Sequence, residues 1–209
     1  MIIGICGFIG SGKDTIADYL VNLHHFRRES FASTLKDAVA QVFGLVAIRQ
    51  ANATIIPYDV PRYAKDLKGH FEQAVKNVKA MDSNFTGFDQ VQTALKALEE
   101  SSEVYKNSLQ NALASEKLTA AHLKKINTGL IDLEKSWIDP KGMYYGEWYK
   151  SLYVCNDPFS GYASWILPGI QYEVAIKNTS RMEEWDTRYA KAILDLSKKI
   201  SKLSELLSI

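Results

Sequence analysis

From about residue 60 to the C terminus the apolar residues of this chain return at three- and four-residue steps, and very little reads as strand. Because 3.6 residues complete a helical turn, that spacing gathers them on single helix faces. Tyr63, Leu67, Phe71, Ala74, Val75 and Val78 predict one such helix. Phe88, Val91, Leu95, Leu98, Tyr105, Leu109 and Leu113 predict a longer one, with Glu99, Glu100 and Glu103 on its solvated side. A third is expected over about 119–137, with Leu123, Ile126, Leu130 and Ile131 inward and Thr119 as its N-cap. The last, about 183–207, uses Trp185, Tyr189, Ile193, Leu196, Ile200, Leu203 and Leu207. Four amphipathic helices imply a bundle. A chain of 209 residues that is 46% hydrophobic and 23% charged has the apolar material for that core, which excludes disorder as the default state.

Between the third and fourth helices lies an aromatic-rich stretch, 139–169, punctuated by Pro140, Pro158 and Pro168. Segments of that length inside a compact domain are usually functional or buried against something else. Pro168 suits the first turn of a short helix through Glu173 and Ile176.

The N-terminal part has a different grammar. Met1-Ile2-Ile3-Gly4-Ile5-Cys6 reads as a buried strand, followed by Gly7-Phe8-Ile9-Gly10-Ser11-Gly12-Lys13-Asp14-Thr15 and a helix carrying Ile16, Ala17, Leu20 and Leu23. A second short strand is expected over 29–32, then a helix with Leu35, Val39, Val42 and Phe43 that Gly44 would stop. The expected fold is therefore mainly α: a helical bundle over 45–209, preceded by a short β-α-β-α phosphate-loop segment over 1–44. About 44 residues cannot cover both faces of a parallel sheet, so strand 2–6 should pair at most with 29–32 or 53–57 and dock on the bundle.

Strand, glycine loop and helix in that order make an anion site, since loop amides and the unpaired amides of the helix N-terminus converge on a phosphate. Gly7, Gly10 and Gly12 permit close approach of the backbone, Ser11 lies within the loop, and Lys13 adds a mobile charge for the β- and γ-phosphates. Asp14 stands where the usual pattern has a magnesium-holding hydroxyl, and Thr15 comes one place late. The ligands such a loop would take are ATP and Mg2+, with Gly7, Gly10, Ser11, Gly12, Lys13, Asp14 and Thr15 as the binding set.

Gly7 to Thr15, together with Phe31-Ala32-Ser33-Thr34-Leu35-Lys36-Asp37, resembles the start of phage-type deoxynucleoside monophosphate kinases. The resemblance covers about residues 1–44. It implies that Lys13 serves catalysis, that Thr15 contacts phosphate, that Asp14 acts on the metal directly or through water, and that Lys36 lies towards the acceptor nucleotide. The plainer reading of Lys36 is an exposed helical lysine. Phosphoryl transfer also needs a metal-positioning carboxylate on another strand and a cluster of arginines, and neither is visible further along the chain.

Arg49-Gln50-Ala51-Asn52-Ala53-Thr54-Ile55-Ile56-Pro57-Tyr58-Asp59, Tyr63-Ala64, Leu133-Glu134-Lys135-Ser136-Trp137-Ile138-Asp139-Pro140 and Gly161-Tyr162-Ala163-Ser164-Trp165-Ile166-Leu167-Pro168-Gly169-Ile170 follow in order. Together they resemble the transferrin-receptor-like dimerisation domain of glutamate-carboxypeptidase-type proteins, over about residues 45–209. That resemblance implies a helical domain that pairs with a second copy of itself, usually beside a two-metal peptidase domain. In the carboxypeptidase members the tyrosine matching Tyr162 faces the substrate pocket and follows a lysine; here Gly161 takes the lysine's place.

His24, His25, His70 and His122 are the only histidines, and no His/Asp/Glu set has the spacing of a dinuclear metal site, so peptidase activity and metal ligands are not expected. The formal charge of +1 provides no field to gather nucleic acid, and no stretch reaches the length of a membrane span. Cytoplasmic residence is the expectation for the chain as written, although the helical part resembles lumenal or extracellular domains. Three functions remain in play: a self-associating helical domain with an attached phosphate loop, a nucleoside monophosphate kinase, and a nucleotide-sensing module that dimerises.

Overall fold

The computed structural model describes residues 13–27, 31–115 and 117–208, and these fall into two compact units, Met1–Ala53 and Thr54–Ile209. In the first unit, helix α1 spans Lys13–His24 and helix α2 spans Phe31–Asn52. The expected strand 2–6 lies outside the described residues. Of the strand expected over 29–32, Phe31 and Ala32 instead open α2, because Phe31 stands four residues before Leu35 and continues that helix's spacing. Gly44 is not a stop either: α2 runs on to Asn52. One interior glycine costs only about 1 kcal/mol relative to alanine, and no proline follows until Pro57.

The second unit is the bundle. Helices α3 (Val60–Lys79), α4 (Asp89–Ser115), α5 (Ala120–Asp132), α6 (Pro168–Ala175) and α7 (Met182–Leu207) carry it, with a 3-10 turn over Leu133–Trp137. α3 starts sharply because the Asp59 side chain accepts from the Arg62 amide at 3.1 Å and Pro61 occupies the first turn. It buries Val60, Ala64, Leu67, Phe71, Ala74 and Val78, one face at alternating steps of three and four. α7 is the central element: Trp185, Tyr189, Ile193, Leu196, Ile200, Leu203 and Leu207 are all buried, with Ala190, Ala192, Ser197 and Ser204 filling the gaps. It packs lengthwise on α4 and also meets α5, α6 and the 3-10 turn, while α3 covers α4.

Thr119 caps α5 as its sequence position suggests, its hydroxyl accepting from the His122 amide. The α5 helix ends earlier than Trp137, tightening into the 3-10 turn after Asp132 so that Leu133, Ser136 and Trp137 can turn inward. Ile131, expected inward, follows the buried Leu130 by one residue and so falls off the buried face of α5, 54% exposed; Leu113 near the end of α4, also expected inward, is exposed as well. Residues 54–56 form no strand: Asn127 of α5 clasps them, donating to the Thr54 carbonyl at 3.0 Å and accepting from the Ile56 amide at 2.9 Å. Among the described residues the only sheet is a two-stranded antiparallel hairpin, β1 (Val154–Asn156) with β2 (Ser164–Ile166).

Candidate functional site

The hairpin lies within the aromatic stretch 139–169 and carries one of the sequence-predicted site residues, Tyr162. Its register pairs Val154 with Ile166, Cys155 with Trp165 and Asn156 with Ser164, leaving 157–163 as the tip. The tip is built on Asp157, whose amide donates to the Ala163 carbonyl and whose carboxylate accepts from the Phe159 amide at 2.8 Å and the Ser160 hydroxyl at 2.7 Å. The Ser160 hydroxyl bond, then the backbone amides, hold that carboxyl below its ordinary range. The chain then reverses through Gly161, whose φ of +66° is a left-handed conformation that favours glycine, and whose amide returns to the Asp157 carbonyl.

The base of the hairpin is fastened to the bundle. The Leu167 amide donates to the Tyr153 carbonyl, and the Gly169 amide donates to the Tyr189 hydroxyl on α7 at 3.2 Å. A Cβ at Gly169 would lie 2.4 Å from the Trp185 ring, so a glycine is what lets the start of α6 approach α7 this closely. Beside it Glu173, fully buried, accepts from Arg181 at 2.9 Å, Trp185 at 3.3 Å and Asn178 at 2.7 Å. Arg188, 8% exposed, donates to Asp139 at 2.8 Å and to the Gly142 carbonyl at 2.5 Å, with its guanidinium over the Trp185 ring. Every buried charge in this corner is therefore paired, as burial requires.

On this fixed base the tip displays aromatic surface. Tyr162 is 96% exposed, and Phe159, 66% exposed, stacks on Tyr172 of α6 with ring centroids 6.2 Å apart. The sequence of 157–163 contains no cation, so nothing on the tip itself would hold an anionic substrate group. What the arrangement offers chemically is a phenol on a rigid mount, suited to contact and hydrogen bonding.

The other predicted site residues are not brought to Tyr162 within one unit. Gly7, Gly10, Ser11 and Gly12 lie outside the described residues; Lys13 and Asp14 open α1, Thr15 in its first turn is exposed, and Lys36 is exposed on α2. His24 and His25 are exposed at the end of α1, where the C-terminal dipole suits them. Among the described residues no group of three His, Cys, Asp or Glu side chains is placed to hold a metal ion, and no helix is long and apolar enough to cross a membrane.

A second surface was not predicted from sequence. Along the outside of the α4–α7 pair runs a groove of about 520 Å³ lined by Ala97, Ser101 and Val104 of α4 and Ser197, Ser201 and Ser204 of α7, with Glu100 and Glu205 at its edges. Its serine hydroxyls are occupied within the pair: Ser101, Ser201 and Ser204 donate to carbonyls of their own helices, and Ser197 donates to the Ala97 carbonyl of α4. The signal in the sequence was the recurrence of small residues at helical spacing on both helices, 97, 101 and 108 against 197, 201, 204 and 208.

Comparison with known proteins adds the context of this bundle. Residues 70–201, from within α3 to within α7, match the family described as transferrin receptor-like dimerisation domain. The chain is 29% identical over 147 residues to the probable glutamate carboxypeptidase LAMP1 of Arabidopsis thaliana, covering 69% of this chain and 20% of that protein. It is 27% identical over 165 residues to the probable glutamate carboxypeptidase AMP1 of the same plant, covering 77% and 23%. A probable glutamate carboxypeptidase of Zea mays, VP8, is 26% identical over 118 residues, covering 55% and 16%. The chain thus spans about a fifth of the length of the curated relatives it matches.

Proposed function

The chain belongs to the transferrin receptor-like dimerisation domain family, and from that premise we propose that its helical unit associates with a second copy of itself. The observation that carries this reading is that the family match falls on the bundle helices themselves. α4 and α7, of 27 and 26 residues, are each about 40 Å long at 1.5 Å rise per residue. The exposed face of this pair is long enough for an interface of standard size, and its small side chains let another helix approach closely. Val104, 55% exposed at the middle of the α4 side, is its apolar centre. Sedimentation of the full chain tests the reading: a dimer at micromolar concentration supports it, and a strictly monomeric chain overturns it.

Within such an assembly the hairpin tip is the contact to a peptidase domain's substrate, with Tyr162 the residue that meets it. This reading rests on the probable carboxypeptidase relatives and on the exposure of Tyr162. The absence of a cation on the tip argues that selectivity for an acidic group comes from elsewhere. A peptidase domain of this family deprived of its own helical part, and reconstituted with the Tyr162→Ala chain, is expected to hydrolyse peptide more slowly than with the unaltered chain.

A second reading concerns the first unit. The motif Gly7 to Thr15, with α1 beginning at Lys13, favours nucleotide-phosphate binding with ATP and Mg2+ as the ligand. Calorimetric titration with Mg2+ and ATP should give saturable heat that Lys13→Ala abolishes. Turnover of deoxynucleoside monophosphates in a coupled assay would raise this to a kinase; binding without turnover leaves a nucleotide-binding segment.

A further inference from the structure

Between α3 and α4 lies a cleft of about 210 Å³ whose floor is the buried set Phe71, Phe88, Val91 and Leu95. It is on a different helix pair from the proposed dimer groove and away from the hairpin residues. An apolar cavity of roughly 150 Å³ holds a benzene ring, so this one has room for a ring and a few polar atoms besides. Phe71 and Phe88 meet edge to face, centroids 6.2 Å apart, giving the floor aromatic walls rather than flexible aliphatic ones.

The rim sorts by charge. Lys68 of α3 and Glu99 of α4 pair across the cleft at 2.9 Å. One turn towards the C-terminal end of α3 and one turn towards the N-terminal end of α4 stand Glu72 and Lys96, which line the same cleft; Glu72 lies in the field of the Lys68 ammonium, and neither makes a close ion pair among the described residues. Besides the Lys68–Glu99 pair, the cleft therefore presents one carboxylate and one ammonium that make no close ion pair, above an apolar, aromatic floor. A ligand that satisfies all three carries a carboxylate for Lys96, an ammonium for Glu72, and an apolar body for the floor. Small apolar molecules satisfy only the floor, and simple ions only the rim.

We propose that the α3–α4 cleft binds a free α-amino acid with a large apolar side chain, held by Glu72 and Lys96 over Phe71, Phe88, Val91 and Leu95. The site is independent of the dimerisation reading and of the phosphate loop, and it stands or falls on its own test.

The probe is L-phenylalanine, titrated at millimolar concentration into the full ¹⁵N-labelled chain. The expected result is saturable shifts concentrated at Lys68–Val75 and Phe88–Glu99. Phenylacetate, which lacks the ammonium, and phenethylamine, which lacks the carboxylate, should each bind at least about tenfold more weakly, the scale of one charge-assisted hydrogen bond. Glu72→Gln and Lys96→Met should each weaken L-phenylalanine binding by a similar factor. Val75→Trp, at a half-buried position on the cleft wall, should abolish it by filling the space, with an unchanged thermal melt showing that the bundle is intact. Absence of saturable shifts, equal binding of the three probes, or shifts centred elsewhere would each overturn the proposal. So would full affinity in both charge variants.

Discussion

Asp186 sits on α7, yet its carboxylate serves α4. It accepts from the Val91 amide at 2.8 Å and the Gln90 amide at 3.1 Å, both in the first turn of α4, where amides have no partner within their own helix. The bond also places negative charge at the positive end of the α4 dipole. Asp186→Ala is expected to cost about 1–2 kcal/mol, the range of a lost N-cap, seen as a lower urea midpoint with an unchanged slope. Gly169→Ala should be as costly for another reason. Its methyl group would be driven into the Trp185 ring, and overpacking of this kind costs about 1–3 kcal/mol, measurable as a fall in melting temperature. Neither role was legible in the sequence. Asp186 caps a residue 95 positions away, so its role exists only once α4 and α7 are packed. Gly169 lies beside Pro168 in what reads as an ordinary helix start. By contrast Thr119, which caps the helix directly after it, could be read from its neighbours alone.

At the scale of elements, locality again decides what can be read. α3 and α7 were legible because each keeps one buried stripe over several turns, and a wrong residue or two does not change the period. The hairpin was not, because strands of three residues offer too few alternations to reveal a period of two. Its turn chemistry was present in Asp157, Pro158, Ser160 and Gly161, but turn residues are compatible with many loops. That chemistry makes the tip sensitive to acid. The Asp157 carboxyl is depressed, first by the Ser160 hydroxyl, so the order it supplies is fully present above its unfolded value of about 3.9 and is lost as pH falls through its folded value. The protection of the Phe159 and Gly161 amides, taken as exchange relative to the intrinsic rate at each pH, should fall across that low-pH window while the bundle amides stay protected. Asp157→Asn should remove the pH dependence.

For the whole molecule, the sequence reads as a glycine-loop beginning over 1–44 and a helical remainder over 45–209, while the compact units are Met1–Ala53 and Thr54–Ile209. The resemblance of 45–209 was readable because motifs at Tyr63-Ala64, Leu133–Pro140 and Gly161–Ile170 keep their order along the chain, and 70–201 carries the family match. The opening of that text, from Arg49 to Asn52, nevertheless belongs to α2, and the second compact unit begins at Thr54. Sequence order alone gives no edge there, because Gly44 looked like a terminus and Asn127, which fixes Thr54 and Ile56, is more than 70 residues away. If the bundle carries self-association, a chain of residues 54–209 should sediment as a dimer like the full chain. Val104→Glu should then weaken that dimer by at least about tenfold, the cost of about 1.4 kcal/mol or more when a buried valine contact is replaced by a charge. Glu100 on one side and Glu205 on the other make the new carboxylate repulsive as well as hydrated. Because Val104 is exposed within one copy, the melt of the monomer should be unchanged. A loss of dimer with an intact melt places the interface on the α4–α7 face. A dimer that survives Val104→Glu moves the interface to another face of the bundle.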